Sequence, residues 1–240
     1  MLVYFLIALI FLAAGFVQGI SGFGSALVAM PLLALVVDVK TAVPLCVLNG
    51  LLITLFLTLR LKAHINWRKI APLTLGCMPG IYVGVTILKK ADDIVIRLGL
   101  GVLLIAYALY CLLSSRARKA ISPGWAYVAG FLTGAIGGAF SAGGPPTIIY
   151  TTLTGWSKEL IKATLSGFFL ATGIFIAAAH AYTGLTTNTV VYYFGVSAAP
   201  VLAGVYTGSV CYDRFDRKTY IKVIYVLLLV MGGMMIGSAM

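Results

Sequence analysis

The sequence predicts an all-α polytopic membrane protein made of two inverted repeats, each a glycine-broken, re-entrant helical hairpin plus three transmembrane helices. Three observations predict it. Of 240 residues, 61% are hydrophobic and only 10% are charged, against about a quarter charged in an average soluble domain. The apolar residues gather into long runs, most of them near the roughly 20 residues that a helix needs to cross about 30 Å of hydrocarbon. Glycine, proline and polar landmarks of the first half return in the second, the mark of an internal repeat.

The first repeat, 1–114, opens with an apolar run over 2–37. No basic residue precedes its apolar stretch and no small-x-small cleavage site follows, so it reads as a membrane element rather than a signal peptide. The run is interrupted at Gly19-Ile20-Ser21-Gly22-Phe23-Gly24-Ser25, with Pro31 beyond. Glycine is costly inside a helix and proline removes a backbone donor, so this segment should unwind or turn. The run is too short for two full crossings, which predicts legs that at least partly re-enter. Helices are predicted over 41–60, 70–88 and 94–113, and a basic linker over 115–124. The second repeat, 125–240, has its hairpin at 125–153, broken from Gly134 to Pro146, and helices at 160–182, 189–211 and 219–240.

The correspondence can be followed residue by residue. Gly15, Gly19, Gly22 and Pro31 recur as Gly130, Gly134, Gly137 and Pro146; Asn49-Gly50 recurs as Ser166-Gly167; Gly80, Gly84 and Asp92 recur as Gly204, Gly208 and Asp216. Charge sets the relative orientation. If each long run is a hairpin, each half has five segments and the second is inverted. Of the 17 basic residues only Lys40, Lys89, Lys90 and Arg97 then lie opposite the rest. Single crossings give no such bias. The positive-inside rule favours the hairpins and puts both termini outside the cytoplasm.

Backbone groups freed at membrane depth are tolerable only inside protein or beside a wet cavity. In inverted repeats, broken-helix ends meet near the midplane, with positive helix N-termini facing anionic groups. The candidate anion-binding set is therefore Gly19, Ser21, Gly22, Gly24 and Ser25 from the first break and Gly137, Gly138, Ser141, Gly143 and Gly144 from the second. Asn49 and Ser166 sit about eight residues into the segment after each hairpin and could face its tip, with Thr54 and Thr172 about a turn further. Asn49 fits a ligand or a helix–helix hydrogen bond equally. Pro31, Pro79, Pro145, Pro146 and Pro200 are candidate supporting or hinge positions. Gly15, Gly80, Gly84, Gly204 and Gly208 read as close-packing residues.

Other chemistry is excluded for lack of parts. The four cysteines lie in apolar runs without Cys-x-x-Cys spacing, and all six acids lie in or beside connections. No metal or other cofactor is expected, and no carboxylate sits mid-membrane as a proton carrier. A His-Glu-x-x-His motif, a Ser/His/Asp set and a phosphate loop are all missing, so an enzyme is not expected. The net charge of +11 is spread over short connections, which fits membrane anchoring and not nucleic acid. His180 is expected at an interface rather than in a proton relay, because it falls near a helix end.

The chain resembles the sulfite exporter TauE/SafE family of bacterial and archaeal permeases over nearly its whole length. The resemblance rests on Gly15-x3-Gly19-x2-Gly22-Phe23-Gly24 with Leu27, Val28 and Pro31, and on Gly130-x3-Gly134-x2-Gly137 with Ser141, Gly143, Gly144, Pro145 and Pro146. Where the family often has a Gly-x-Gly-Gly-Gly core, this chain has Gly22-Phe23-Gly24-Ser25 and Ser141-Ala142-Gly143-Gly144. The resemblance implies export or uptake of sulfite, organosulfonates such as sulfoacetate, or thiosulfate; the two repeats predict a secondary transporter working by alternating access, in a multi-pass inner membrane protein. A homodimer stays open. A permease for a carboxylate or other small anion, or a non-transporting scaffold subunit, are the alternatives.

Overall fold

The computed structural model describes residues 1–113, 122–211, 217–237 and 239. The basic linker therefore lies outside the described residues, save its last three. The described chain is helical throughout its ordered elements: α1 (Leu2–Ser21), α2 (Ser25–Leu33), α3 (Val39–Arg60), α4 (Trp67–Lys90), α5 (Asp93–Leu113), α6 (Trp125–Phe140), α7 (Gly144–Leu153), α8 (Lys158–Tyr182), α9 (Asn188–Val210) and α10 (Arg217–Gly237). Six of them, α1, α3, α4, α5, α8 and α9, are long and apolar enough to cross a membrane. The protein is thus a multi-pass, all-α membrane protein. Large apolar side chains such as Phe5, Leu75, Tyr82, Val102 and Val191 lie exposed on its outside, where lipid takes the place of water.

Local signals set the helix ends. Asp38 starts α3 by accepting the Thr41 N–H at 2.8 Å. Ser157 does the same for α8 with Leu160 at 3.2 Å, and Thr187 for α9 with Val190 at 3.4 Å. Such caps satisfy one of the orphan N–H groups of a first turn. Helices α2 and α7 have 9 and 10 residues. At 1.5 Å per residue they reach about 15 Å, half the hydrocarbon thickness, so neither crosses alone.

Helix pairing places the two breaks. The most extensive contacts are α1 with α9 and α4 with α6, followed by α5 with α10, α3 with α8, α3 with α9 and α4 with α8. Exchanging the first five helices for the last five leaves this set of pairs unchanged. Small residues make the closest seams. A Cβ at Gly15 would stand 2.5 Å from the Val201 carbonyl oxygen, and one at Gly19 2.6 Å from that of Val205. Across α4 and α6, Cβ atoms at Gly76, Gly80 and Gly84 would strike the carbonyls of Tyr127, Phe131 and Ala135. Contact positions rise together along both partners, so each of these pairs is parallel. Gly101 and Gly232 form the matching close approach of α5 and α10. Each hairpin's first helix is thereby locked to the fourth helix of the other half, and both breaks are held inside.

Candidate functional site

A cavity of about 100 Å³ lies between the two breaks and is walled on its other sides by α3 and α8. One water needs roughly 10–15 Å³ of such free space, so this cavity has room for several waters or one small oxyanion. Its lining comprises Gln18, Gly24, Ser25, Ala26 and Leu27 from the first break and Thr133, Gly137, Ser141, Ala142, Gly143 and Gly144 from the second. Cys46, Val47, Gly50, Leu51 and Thr54 come from α3, and Phe169, Thr172, Gly173 and Ile176 from α8. None of these side chains carries a formal charge.

At the first break α1 ends on Gly22, left-handed at φ 84°, whose N–H donates to the Gln18 carbonyl at 2.7 Å. Gly24, at φ 96°, then caps α2. Both conformations cost an L side chain energy and suit glycine. The Ser25 N–H donates to Gln18 Oε1 at 3.2 Å, which fixes the buried amide across the hairpin and leaves its Nε2 as the donor. Among the described residues, none accepts from the N–H groups of Ala26 and Leu27. They are first-turn donors at the positive end of α2, which favours negative charge.

The second break reaches a similar result with other residues. Helix α6 ends at Ser141, the positive-φ non-glycine residue of the described chain at φ 57°, whose N–H donates to the Gly137 carbonyl at 2.9 Å. Thr133 and Thr147 hydroxyls meet at 2.6 Å and strap α6 to α7, the counterpart of the Gln18–Ser25 bond. A Cβ at Gly143 would lie 2.9 Å from Gly137 Cα and strike the Thr133 carbonyl, so this turn is closed on itself. Pro145 and Pro146 have no N–H to offer. The donors here are the N–H groups of Ala142, Gly143 and Gly144, for which no acceptor occurs among the described residues. On the facing walls, the hydroxyls of Thr54 and Thr172 donate to the Gly50 and Phe168 carbonyls at 2.8 and 2.9 Å; a hydroxyl proton can rotate toward a better acceptor.

The structure gathers some sequence-picked residues and separates others. Gly24, Ser25, Gly137, Ser141, Gly143 and Gly144 line the cavity. Gly19 sits in the α1–α9 seam, and Gly138 packs against Val85 and Ile81 of α4. Gly22 lies against the Lys162 side chain. The Ser21 hydroxyl bonds locally to the carbonyls of Val17, at 2.7 Å, and Phe23. Asn49, fully buried, donates to the Leu45 carbonyl at 3.0 Å and exchanges hydrogen bonds with Ser197, joining α3 to α9. Ser166 donates to the Lys162 carbonyl at 2.8 Å. Pro31, Pro79 and Pro200 lie inside α2, α4 and α9, and Pro145 and Pro146 in the first turn of α7. Instead of lying at an interface, His180 is fully enclosed, with Nε2 3.0 Å from the Gly138 carbonyl oxygen.

Gln18 and Thr133 are cavity residues that reading the sequence for glycines passes over. A signal existed: they stand at the same offset as the Gly15–Gly130 and Gly19–Gly134 pairs, each a polar residue in an apolar stretch just before a break.

Broken hairpins joined around an uncharged, donor-rich cavity inside a multi-pass helical bundle define a polytopic membrane protein with a polar cavity among its helices. The sulfite exporter TauE/SafE family model matches residues 7–235. The chain belongs to that family, which consists of exporters and not enzymes. It is also 32% identical over 146 residues to a probable sulfite/organosulfonate exporter TauE of Cupriavidus necator, covering 57% of this chain and 56% of that protein. The chain thus spans little more than half the length of the curated relative it matches. No solved structure matches it.

Proposed function

We propose that the protein is a secondary transporter of small sulfur oxyanions, such as sulfite or organosulfonates, working by alternating access of two inverted halves. The observation that carries this reading is the cavity where both breaks meet. It offers backbone N–H groups at two helix N-termini and the Gln18 amide, in a space the size of one oxyanion. Neutral donors in direct contact suit a ligand that must be released on the far side, since a permanent cation in the cavity wall would hold it tightly. Family membership and the relative's name supply the sulfur chemistry. The parallel α1–α9 and α4–α6 seams support the inverted halves, and their exchange symmetry is compatible with the rocking of one half against the other that alternating access uses.

The test is flux. Purified protein in proteoliposomes should take up sulfoacetate saturably, with competition from sulfite and little from lactate. Equal competition by lactate would favour a carboxylate permease. A scaffold subunit would show no flux and no ligand-dependent rise in melting temperature, whereas a ligand that binds the folded protein must raise it.

A further inference from the structure

Helix α8 carries a nitrogen onto the carbonyl end of each broken helix. Lys162 Nζ, near its start, lies 3.4 Å from the Gly19 oxygen, two residues before α1 ends. His180 Nε2, near its other end, lies 3.0 Å from the Gly138 oxygen, two residues before α6 ends. Carbonyls in a last turn lack helical partners and carry the negative end of the helix dipole. Both ends lie beside the cavity and would repel an anion there. Between the two contacts α8 lines the cavity with Phe169, Thr172, Gly173 and Ile176, and His180 stands one turn beyond Ile176.

The two caps differ in charge. Lysine brings a full positive charge, whereas a carbonyl can only accept, so the His180 hydrogen is on Nε2 and Nδ1 of the neutral ring is a bare lone pair. That Nδ1 is buried and has no partner among the described residues. A buried acceptor left unmatched is costly, and a proton would convert it to a charge beside the site.

We propose that His180 is a titratable counterpart of Lys162, taking up a proton at Nδ1 when the anion binds and giving it back when the anion leaves. The proton comes from water on the open side and returns to water on release; only an N–H bond forms and breaks. By linkage the proton and the anion then raise each other's affinity by the same factor. This inference rests on the anion-transport reading above. The surroundings leave the role to His180. Helices α6 and α7, which pack against α8, bring no charged side chain. The charged residues of α3 and α4, Lys40, Arg60, Arg68, Lys69, Lys89 and Lys90, sit at helix ends, exposed except for half-buried Lys69. The short 3-10 turn Lys62–His64 also packs on α8, but Lys62 and His64 are exposed and the adjoining Ile65 lies beside Gly167, thirteen residues before His180. Cys46, Cys77 and Tyr150 on those elements make no hydrogen bond with His180 among the described residues.

The experiment is sulfoacetate binding to the purified full chain by calorimetry from about pH 6 to 8, where the ligand is already a dianion and histidine is the side chain whose charge ordinarily changes. Two buffers of different ionisation enthalpy report proton uptake. The wild-type affinity should fall tenfold or more as pH rises, with protons taken up on binding. His180→Gln and His180→Asn, which can hydrogen bond but cannot take a proton, should flatten that profile to within about twofold. Lys162→Gln should weaken binding at every pH and keep the slope. A flat wild-type profile, or an undiminished slope in either folded His180 variant, overturns the proposal and leaves the transport reading standing. Absence of sulfoacetate or sulfite binding at any pH overturns both.

Discussion

At the residue scale, the first break is governed by one amide. Gln18 accepts from Ser25 N–H and so joins the end of α1 to the start of α2. Gln18→Leu removes that acceptor and the cavity's Nε2 donor together while keeping an apolar-compatible volume. Sulfoacetate transport should fall at least tenfold, about 1.4 kcal/mol or more of lost stabilisation, with the protein still folded by melting. Unchanged flux would remove Gln18 from the site. Asn49 has a different outlook. Its reciprocal bonds with Ser197 tie α3 to α9, and interhelical bonds of this kind average about 0.6 and reach about 1.7 kcal/mol in membranes. Asn49→Ala should lower unfolding stability within that range. The glycine breaks were legible in the sequence because Gly22, Gly24 and Gly143 concentrate where apolar helix should continue. Gln18 was not, since a single amide in an apolar stretch carries no period, and Ser21 and Asn49 could not be sorted from ligands until their hydrogen-bond partners were known.

At the element scale, the helices follow hydropathy and the caps follow local chemistry. The apolar run 70–88 lies inside α4, which extends to Trp67 and Lys90 because charged residues at the ends of a membrane helix reach the interface without leaving the helix. Seam glycines were legible as spaced small residues, but their partners were not: α4 packs on α6 and α1 on α9, contacts between distant parts of the chain. Gly80 is the sharpest test of a seam, since its Cβ would strike the Phe131 carbonyl. Gly80→Leu should lower the melting temperature sharply or abolish folded yield, and the same change at Gly233, which has open space around it, should not. Equal tolerance at both positions would contradict the seam.

At the scale of the whole molecule, the number and apolar character of the helices were legible from composition, and the pairing that brings the breaks together was not. Repeat spacing shows that two segments resemble one another; it does not show that they meet. Charge distribution predicts an orientation, with Lys90 on the outer face. Lys90→Cys, in a background without Cys111 and Cys211, should be labelled by an impermeant thiol reagent in intact cells, and Lys69→Cys in the same background only once the membrane is opened. Labelling of both from one face would overturn the topology. Whether the two breaks make one site for a sulfur anion is decided by sulfoacetate flux into proteoliposomes by wild type and by Gly143→Val, whose added side chain cannot fit between Thr133 and Gly137. Wild-type flux should be saturable and inhibited by sulfite, and the folded variant should lose it at least a hundredfold. Undiminished flux through folded Gly143→Val would contradict the shared site.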